Sequence, residues 1–388
     1  MQRKNWPNFS KQLIYKVNQV ITSGIINYTY GRYGEKFEKE FSKFVGNKYS
    51  VAICNGTAAL EVAIRSLKLP KNSEIIVPAR SFFSSAACIV NTGNVPIFSD
   101  VEIYSQNICL NDVKKKITKK TKAIICVHLA GLPCEMIKVK KFAKQNNLKL
   151  IEDCSQAHGA SINNKQVGSF GDVSTWSFCN DKIISTLGEG GMISTNKKTI
   201  YNFCKKFINH GSNLNVKKTN KFIYNKNSFG TNLRITEIQS IAGLDQLKNL
   251  KKIQKIRENM SKNFFRIIME HKNFFNSFYV SKNIKSAWYK FYFFVRPNIK
   301  NFKKLRLKII KDLNKINIKC STGSCPEIYL EKAFKTLKNF KFKRLKNCKL
   351  LGETSIALEI NHTLNANEQK KDLTKLASVL KQNLKNIS

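Results

Sequence analysis

The sequence predicts an α/β fold: a mostly parallel seven-stranded sheet with helices on both faces, followed by a smaller α+β domain. Two observations carry this. Short apolar runs alternate with amphipathic helical stretches from about residue 49 to 195, the pattern of strands joined by helical crossovers. After about residue 235 the alternation gives way to a long helical stretch and a mixed remainder.

The strand candidates come in order. They are "YSVAIC" (49–54), "EIIVPA" (74–79), "VPIFSDV" (95–101), "KAIICVHLAG" (122–131), "LKLIEDCS" (148–155), "VSTWSFC" (173–179) and "GGMIST" (190–195). Several are apolar throughout, as strands covered on both faces should be. Between the earlier ones, "TAALEVAIRSL" sets Leu60, Ala63, Ile64 and Leu67 at helical spacing, and "EMIKVKKFAKQNN" (135–147) is a second amphipathic stretch. Residues 236–269 read as one or two long helices. They precede a strand-like "SAWYKFYFFV" (286–295), a helical "FKKLRLKIIKDLNKI" (302–316) and a last helix over 367–384. A large domain with an N-terminal arm is expected over 1–250 and a small one over 251–388.

Composition narrows the function classes. The 388 residues are 42% hydrophobic and 24% charged, those of an ordinary globular protein. No apolar run approaches the length of a membrane span, and "MQRKNWPNFSKQ" lacks the apolar core of a signal peptide. A cytoplasmic protein without a membrane partner is expected. Eleven cysteines occur with no C-x-x-C pair, and only five histidines. Free buried thiols are expected, with no disulfide framework and no zinc site. The formal charge of +43 is spread along the chain with heavy use of asparagine and isoleucine. That reads as compositional bias, not as a nucleic-acid stripe. The basic run 334–349 reads as a solvated helix and loop.

Chemistry is sought at the carboxyl ends of strands, where open α/β sheets bind ligands. Asn55-Gly56-Thr57 opens a helix after the first strand, and its N–H groups suit an anion. Phe82 and Phe83 follow the second strand, and either ring could stack on a planar ligand. Glu152 and Asp153 end the fifth strand and point to opposite sides, so one of them faces the covered interior and needs a cationic partner. Gln156 and His158 follow in the loop. Ser177 lies on the sixth strand, with Lys182 beyond it and the run Gly188 to Gly191 turning into the seventh. An anion site, an aromatic face, a strand-end carboxylate, a hydroxyl and one lysine fit pyridoxal 5′-phosphate. That cofactor needs a lysine amine, an acid at its ring nitrogen and an anchored phosphate.

These residues carry a resemblance. "NYTYGRYGEKFEKEF" (27–41), "NGTAAL", "IEDCSQAHGA", "SFCNDKIISTLGEGGM", "NHG" (209–211), "GTNLRITEIQ" (230–239) and "CPEIYLEKAF" (325–334) together resemble the DegT/DnrJ/EryC1/StrS family of sugar aminotransferases. The family has the aspartate-aminotransferase fold (fold type I). The resemblance implies that Lys182 binds the cofactor covalently and then serves as general base. Asp153 would pair with the pyridine nitrogen and Gln156 with the phenolic oxygen. Gly56, Thr57 and Ser177 would cradle the phosphate, and Phe82 would stack on the ring. Asn232 would reach the phosphate of a neighbouring subunit, which makes a homodimer with a shared site. Arg234 would orient the donor carboxylate or brace its loop.

The implied reaction moves an amino group from L-glutamate to a nucleotide-activated 4-keto- or 3-keto-6-deoxyhexose, for cell-surface polysaccharide or a related glycan. Some relatives carry histidine at the lysine position and dehydrate sugars instead; Lys182 favours transfer. The rivals are a sugar dehydratase or other non-transaminating enzyme of the same fold, and a binding protein without cofactor.

Overall fold

The computed structural model describes residues 6–212, 226, 228–278, 280–337 and 342–385. The large sheet contains β1 (Tyr49–Ile53), β2 (Glu74–Pro78), β3 (Val95–Ser99), β4 (Thr121–Val127) and β5 (Lys149–Asp153). A short hairpin, β6 (Ser161–Ile162) and β7 (Lys165–Gln166), precedes its last members, β8 (Val173–Ser177) and β9 (Gly191–Thr195). The order is β1-β9-β8-β5-β4-β2-β3. Only β9 runs antiparallel to its neighbours; the other pairs are parallel. Each of the seven apolar runs supplies one strand.

Alternation along these strands fills two cores. Ile75, Val77, Ile125 and Ile151 pack on one face, and Ile76, Ile124, Cys126 and Leu150 on the other. Helices α3 (Gly56–Ser66), α4 (Ser84–Asn91), α5 (Leu110–Lys116) and α6 (Met136–Gln145) connect strands. Before the sheet come α1 (Lys11–Thr22) and α2 (Tyr33–Val45), and after it α7 (Lys198–Phe207).

The stretch after residue 235 is one helix, α8 (Glu237–Met269), started by a capping box between Thr236 and Gln239. A second sheet, antiparallel throughout, has the order β10-β12-β14-β13. Its strands are β10 (Phe275–Ser277), β12 (Lys290–Val295), β13 (Cys320–Ser321) and β14 (Ser355–Glu359), while β11 (Ile284–Lys285) pairs with β6. It packs with α9 (Phe302–Lys315) and α12 (Ala366–Leu384) through Phe291, Phe293, Ile309, Leu313, Leu376 and Leu380. The short α10 (Lys332–Lys335) and α11 (Lys346–Thr354) complete the chain.

Two expectations shift in detail. The strand read over 286–295 begins only at Lys290. Trp288 sits at φ 53°, which no strand residue can adopt, and its N–H turns to Ser286 Oγ. The basic run 334–349 starts in the last two residues of α10 and ends in the first four of α11, with 336–337 and 342–345 outside both helices. Its residues 338–341, and residues 1–5 of the N-terminal stretch, lie outside the described residues. All eleven cysteines are free thiols, six of them buried. No helix among the described residues is long and apolar enough to cross a membrane.

Candidate active site

The strand ends converge through register. Ile53 and Ser177 both pair with Gly191 of β9, which sets the start of α3 beside the end of β8. A Cβ on Gly56 would lie 2.6 Å from Ser177 Cβ, and one on Gly191 would lie 2.4 Å from the Asn55 carbonyl oxygen. Only glycine permits either approach.

Asn55 caps α3 by accepting from Ala58 N–H at 2.8 Å, and its carbonyl takes Ala59 N–H. The N–H groups of Gly56 and Thr57 remain for an anion at the positive end of the helix. The Thr57 side chain is exposed. The Ser177 hydroxyl accepts from Cys179 N–H at 3.3 Å and keeps its own proton to donate.

Glu152 and Asp153 separate as their alternation requires. Glu152 is fully buried. It accepts from the N–H groups of Gly168, Phe170 and Gly171 at 2.9, 2.8 and 2.7 Å and from His128 Nε2 at 3.2 Å. Burial works against this carboxylate, but His128 and the N–H groups more than offset it and hold its pKa below the ordinary value. Cys134 N–H donates to His128 Nδ1, which favours a neutral imidazole with its proton on Nε2 even though, against burial, Cys154 and Glu152 beside it draw its pKa up. His128, Glu152 and Cys154 could in principle hold a metal ion, yet these hydrogen bonds already use both imidazole nitrogens and both carboxylate oxygens.

Asp153 points the other way, toward Ser85 of α4. It is 4% exposed. It accepts the Ser85 hydroxyl at 2.9 Å and Ser155 N–H at 3.1 Å. None of the ion pairs among the described residues involves it. A buried carboxylate without a cation is costly, and a protonated pyridine nitrogen would supply one. Gln156 Oε1 is taken by Ala130 N–H at 2.7 Å, which leaves its amide Nε2 as the donor for a phenolic oxygen. Phe82 is 66% exposed, a bare ring available for stacking. Phe83 packs edge-on against Phe334.

Lys182 stands on a turn anchored by the two residues after it. Ile183 and Ile184 are wholly buried in the core with Phe37, Phe41 and Phe178. Its Nζ lies 3.1 Å from Asp181 Oδ1 and over the Tyr289 ring at 5.2 Å from the centroid. Tyr289 donates its hydroxyl to Asp181 Oδ2. The turn after Lys182 reverses through Leu187 at φ 63° and Gly188 at φ 116°, closed by Thr186 Oγ1 donating to the Glu189 carbonyl at 2.6 Å.

His158 is buried against Trp176 and Phe178, and burial pushes its pKa down to about 3. It is a neutral core residue. Asn232 is exposed and bridges Asn209; none of its described contacts reaches Asp153, Gln156, Ser177 or Lys182. Arg234 donates to Asn209 and so braces that loop. Ser85, Asp181 and Tyr289 are site neighbours that sequence reading missed. Asp181 could have been noticed beside Lys182; nothing local marks the other two.

The donor set fits pyridoxal phosphate: N–H groups and hydroxyls for a phosphate, an unpaired buried carboxylate for a ring N–H, a free ring to stack and an amine. Comparison with known proteins agrees. The chain matches the model of the DegT/DnrJ/EryC1/StrS aminotransferase family over residues 7–376. It is 38% identical over 260 residues to a GDP-perosamine synthase of Escherichia coli O157:H7, spanning 66% of this chain and 69% of that one. It is 30% identical over 328 residues to a GDP-4-keto-6-deoxy-D-mannose 3-dehydratase of Escherichia coli O55:H7, 79% of this chain and 82% of the other. Its fold superposes on an aminotransferase from Psychrobacter cryohalolentis with a TM-score of 0.93 at 35% identity, covering 98% of this chain and 99% of that one. The chain belongs to the DegT/DnrJ/EryC1/StrS aminotransferase family, whose members depend on pyridoxal phosphate.

Proposed function

We propose that this aminotransferase moves an amino group from L-glutamate to a keto-deoxysugar carried on a nucleoside diphosphate, a 4-keto- or 3-keto-6-deoxyhexose. The product would serve a cell-surface polysaccharide or related glycan. The reading is carried by Lys182, on a turn that follows β8 and whose next two residues are buried, and by the buried carboxylate of Asp153 at the end of β5, the strand paired with β8. Relatives named for GDP-perosamine synthesis and for a 3-amino-3,6-dideoxygalactose nucleotide support the substrate class.

Bound pyridoxal phosphate supplies a conjugated electron sink for the pair left when a proton departs from the carbon bearing nitrogen. This chain's residues do the rest. Gly56 and Thr57 N–H groups and the hydroxyls of Thr57 and Ser177 hold the phosphate. Phe82 covers one ring face. Gln156 Nε2 donates to the phenolic oxygen. Asp153 keeps a proton on the ring nitrogen. Lys182 Nζ would take the α-proton and return it to the cofactor carbon across the shared nitrogen, acting as general base and then acid. We place the division between the large and small domains near residue 250, within α8. Asn232, exposed on one copy, is assigned to the phosphate of a second, in a homodimer.

The test is product analysis. Purified protein given glutamate and a keto-sugar nucleotide should yield 2-oxoglutarate and the amino sugar in equal amounts. Borohydride should trap the cofactor on Lys182, and Lys182→Ala should be inert. Turnover by Lys182→Ala would sink the site assignment. A sugar product without 2-oxoglutarate would favour the dehydratase that one relative's name suggests.

A further inference from the structure

Asp181 and Lys182 are adjacent in sequence, and Asp181 is 57% exposed at its side chain. Such a neighbouring pair at a surface would ordinarily be loose and contribute little. Here it is not loose. Tyr289, 108 residues away, donates its hydroxyl to Asp181 Oδ2 and leaves Oδ1 for Lys182 Nζ at 3.1 Å. The same tyrosine ring lies beneath the ammonium, adding a cation–π contact. Two distant segments thus converge on one amine.

Tyr289 is itself fixed from several sides. It is 7% exposed. Its N–H donates to the Ala130 carbonyl at 2.9 Å. Arg257 Nη1, from α8, donates to the carbonyls of Trp288 and Tyr289 at 2.9 and 3.2 Å. The preceding Trp288 is held at φ 53°, a conformation a bulky residue adopts only under constraint. Ala130 N–H in turn binds Gln156. A continuous chain of hydrogen bonds therefore joins Gln156, Ala130, Tyr289, Asp181 and Lys182. Burial and the Asp181 carboxylate raise the phenol's pKa, so Tyr289 stays a donor throughout the working range.

We propose that Asp181 and Tyr289 are positioning residues that dock the Lys182 ε-ammonium whenever it is not covalently engaged, returning the amine to one place in each half of the transfer. The proposal rests on Lys182 being the reactive lysine, and its test is separable from that reading. The full-length chain, freed of cofactor, is treated with acetic anhydride, and acetylation of Lys182 is followed by peptide mass spectrometry against exposed lysines of the same digest. Reaction requires the amine free of its dock. Asp181→Asn should speed Lys182 acetylation about tenfold and Tyr289→Phe several-fold, as expected for loss of a charge-assisted hydrogen bond. In the Asp181→Asn background, Tyr289→Phe should add nothing through this route. A merely structural tyrosine would not show that dependence. Single-variant rates within about twofold of the parent, or fully additive effects, overturn the dock. If Tyr289→Phe fails to fold, the half-exposed Asp181→Asn carries the test alone. Borohydride trapping on Lys182 with unchanged acetylation removes only the dock; trapping on another lysine overturns the site assignment and the dock together.

Discussion

The Ser85 hydroxyl donates to Asp153 Oδ2 at 2.9 Å, the side-chain hydrogen bond that orients this buried carboxylate. Asp153→Asn keeps the size but removes the charge that holds a proton on a pyridine nitrogen. Turnover should fall at least about a hundredfold while cofactor binding survives, since the electron sink and not the anchor is lost. Ser85→Ala leaves the charge and loses only its orientation, so about a tenfold fall is expected. Single-turnover absorbance changes with glutamate would read both. Equal effects would mean that Asp153 acts structurally.

Gly56 sits where no side chain fits: a Cβ there would meet Ser177 Cβ at 2.6 Å and Ser177 Cα at 3.1 Å. Gly56→Ala must push the start of α3 away from the end of β8, and the anion cradle with it. Cofactor affinity should drop about tenfold or more, against a few-fold for Thr57→Ala, which loses one hydroxyl. Dialysis followed by cofactor absorbance measures this; an unchanged affinity in Gly56→Ala would place the phosphate elsewhere.

How far the sequence reached can be judged from such neighbours. The strands were legible because apolar runs such as "KAIICV" report burial on both faces directly. Asp153 and Lys182 were legible because order and spacing carry them. Ser85 and Tyr289 were not: they meet Asp153 and Asp181 across 68 and 108 residues, and local pattern holds no record of which loops converge. Trp288 misled for a related reason. "SAWYKFYFFV" has the composition of a strand, while its start is bent at Trp288, which bonds back to Ser286 within the run and to Arg257 from outside it.

Glu152 gives a stability prediction with a definite pH dependence. Its folded pKa is depressed below the ordinary value near 4.5. The stability it contributes is therefore present above that value and is lost as pH falls through the lower folded value. Glu152→Gln turns an amide NH₂ toward N–H donors already in place and should cost about 3 kcal/mol at pH 7. Urea midpoints for parent and variant should converge as pH drops below about 4.5. A gap that persists at pH 3 would mean that packing, not charge, is at stake.

Glu237 ties the N-terminal arm to the long helix. It is 1% exposed, and its carboxylate accepts the N–H groups of Arg32, Tyr33 and Gly34 at 2.7, 2.6 and 2.8 Å. The start of α2, which has no side-chain cap of its own at Arg32, is thus capped from 203 to 205 residues away. Gly31 allows the approach: a Cβ there would lie 2.0 Å from Glu237 Cδ. Glu237→Gln keeps one acceptor, sets an amide donor against the helix N-terminus and forfeits the favourable dipole interaction. About 2–3 kcal/mol of stability should be lost, seen as a lower urea midpoint at unchanged slope. Gly31→Ala should reproduce part of that loss by displacing the carboxylate. A midpoint unmoved in both variants would show that the arm is held by its apolar contacts alone.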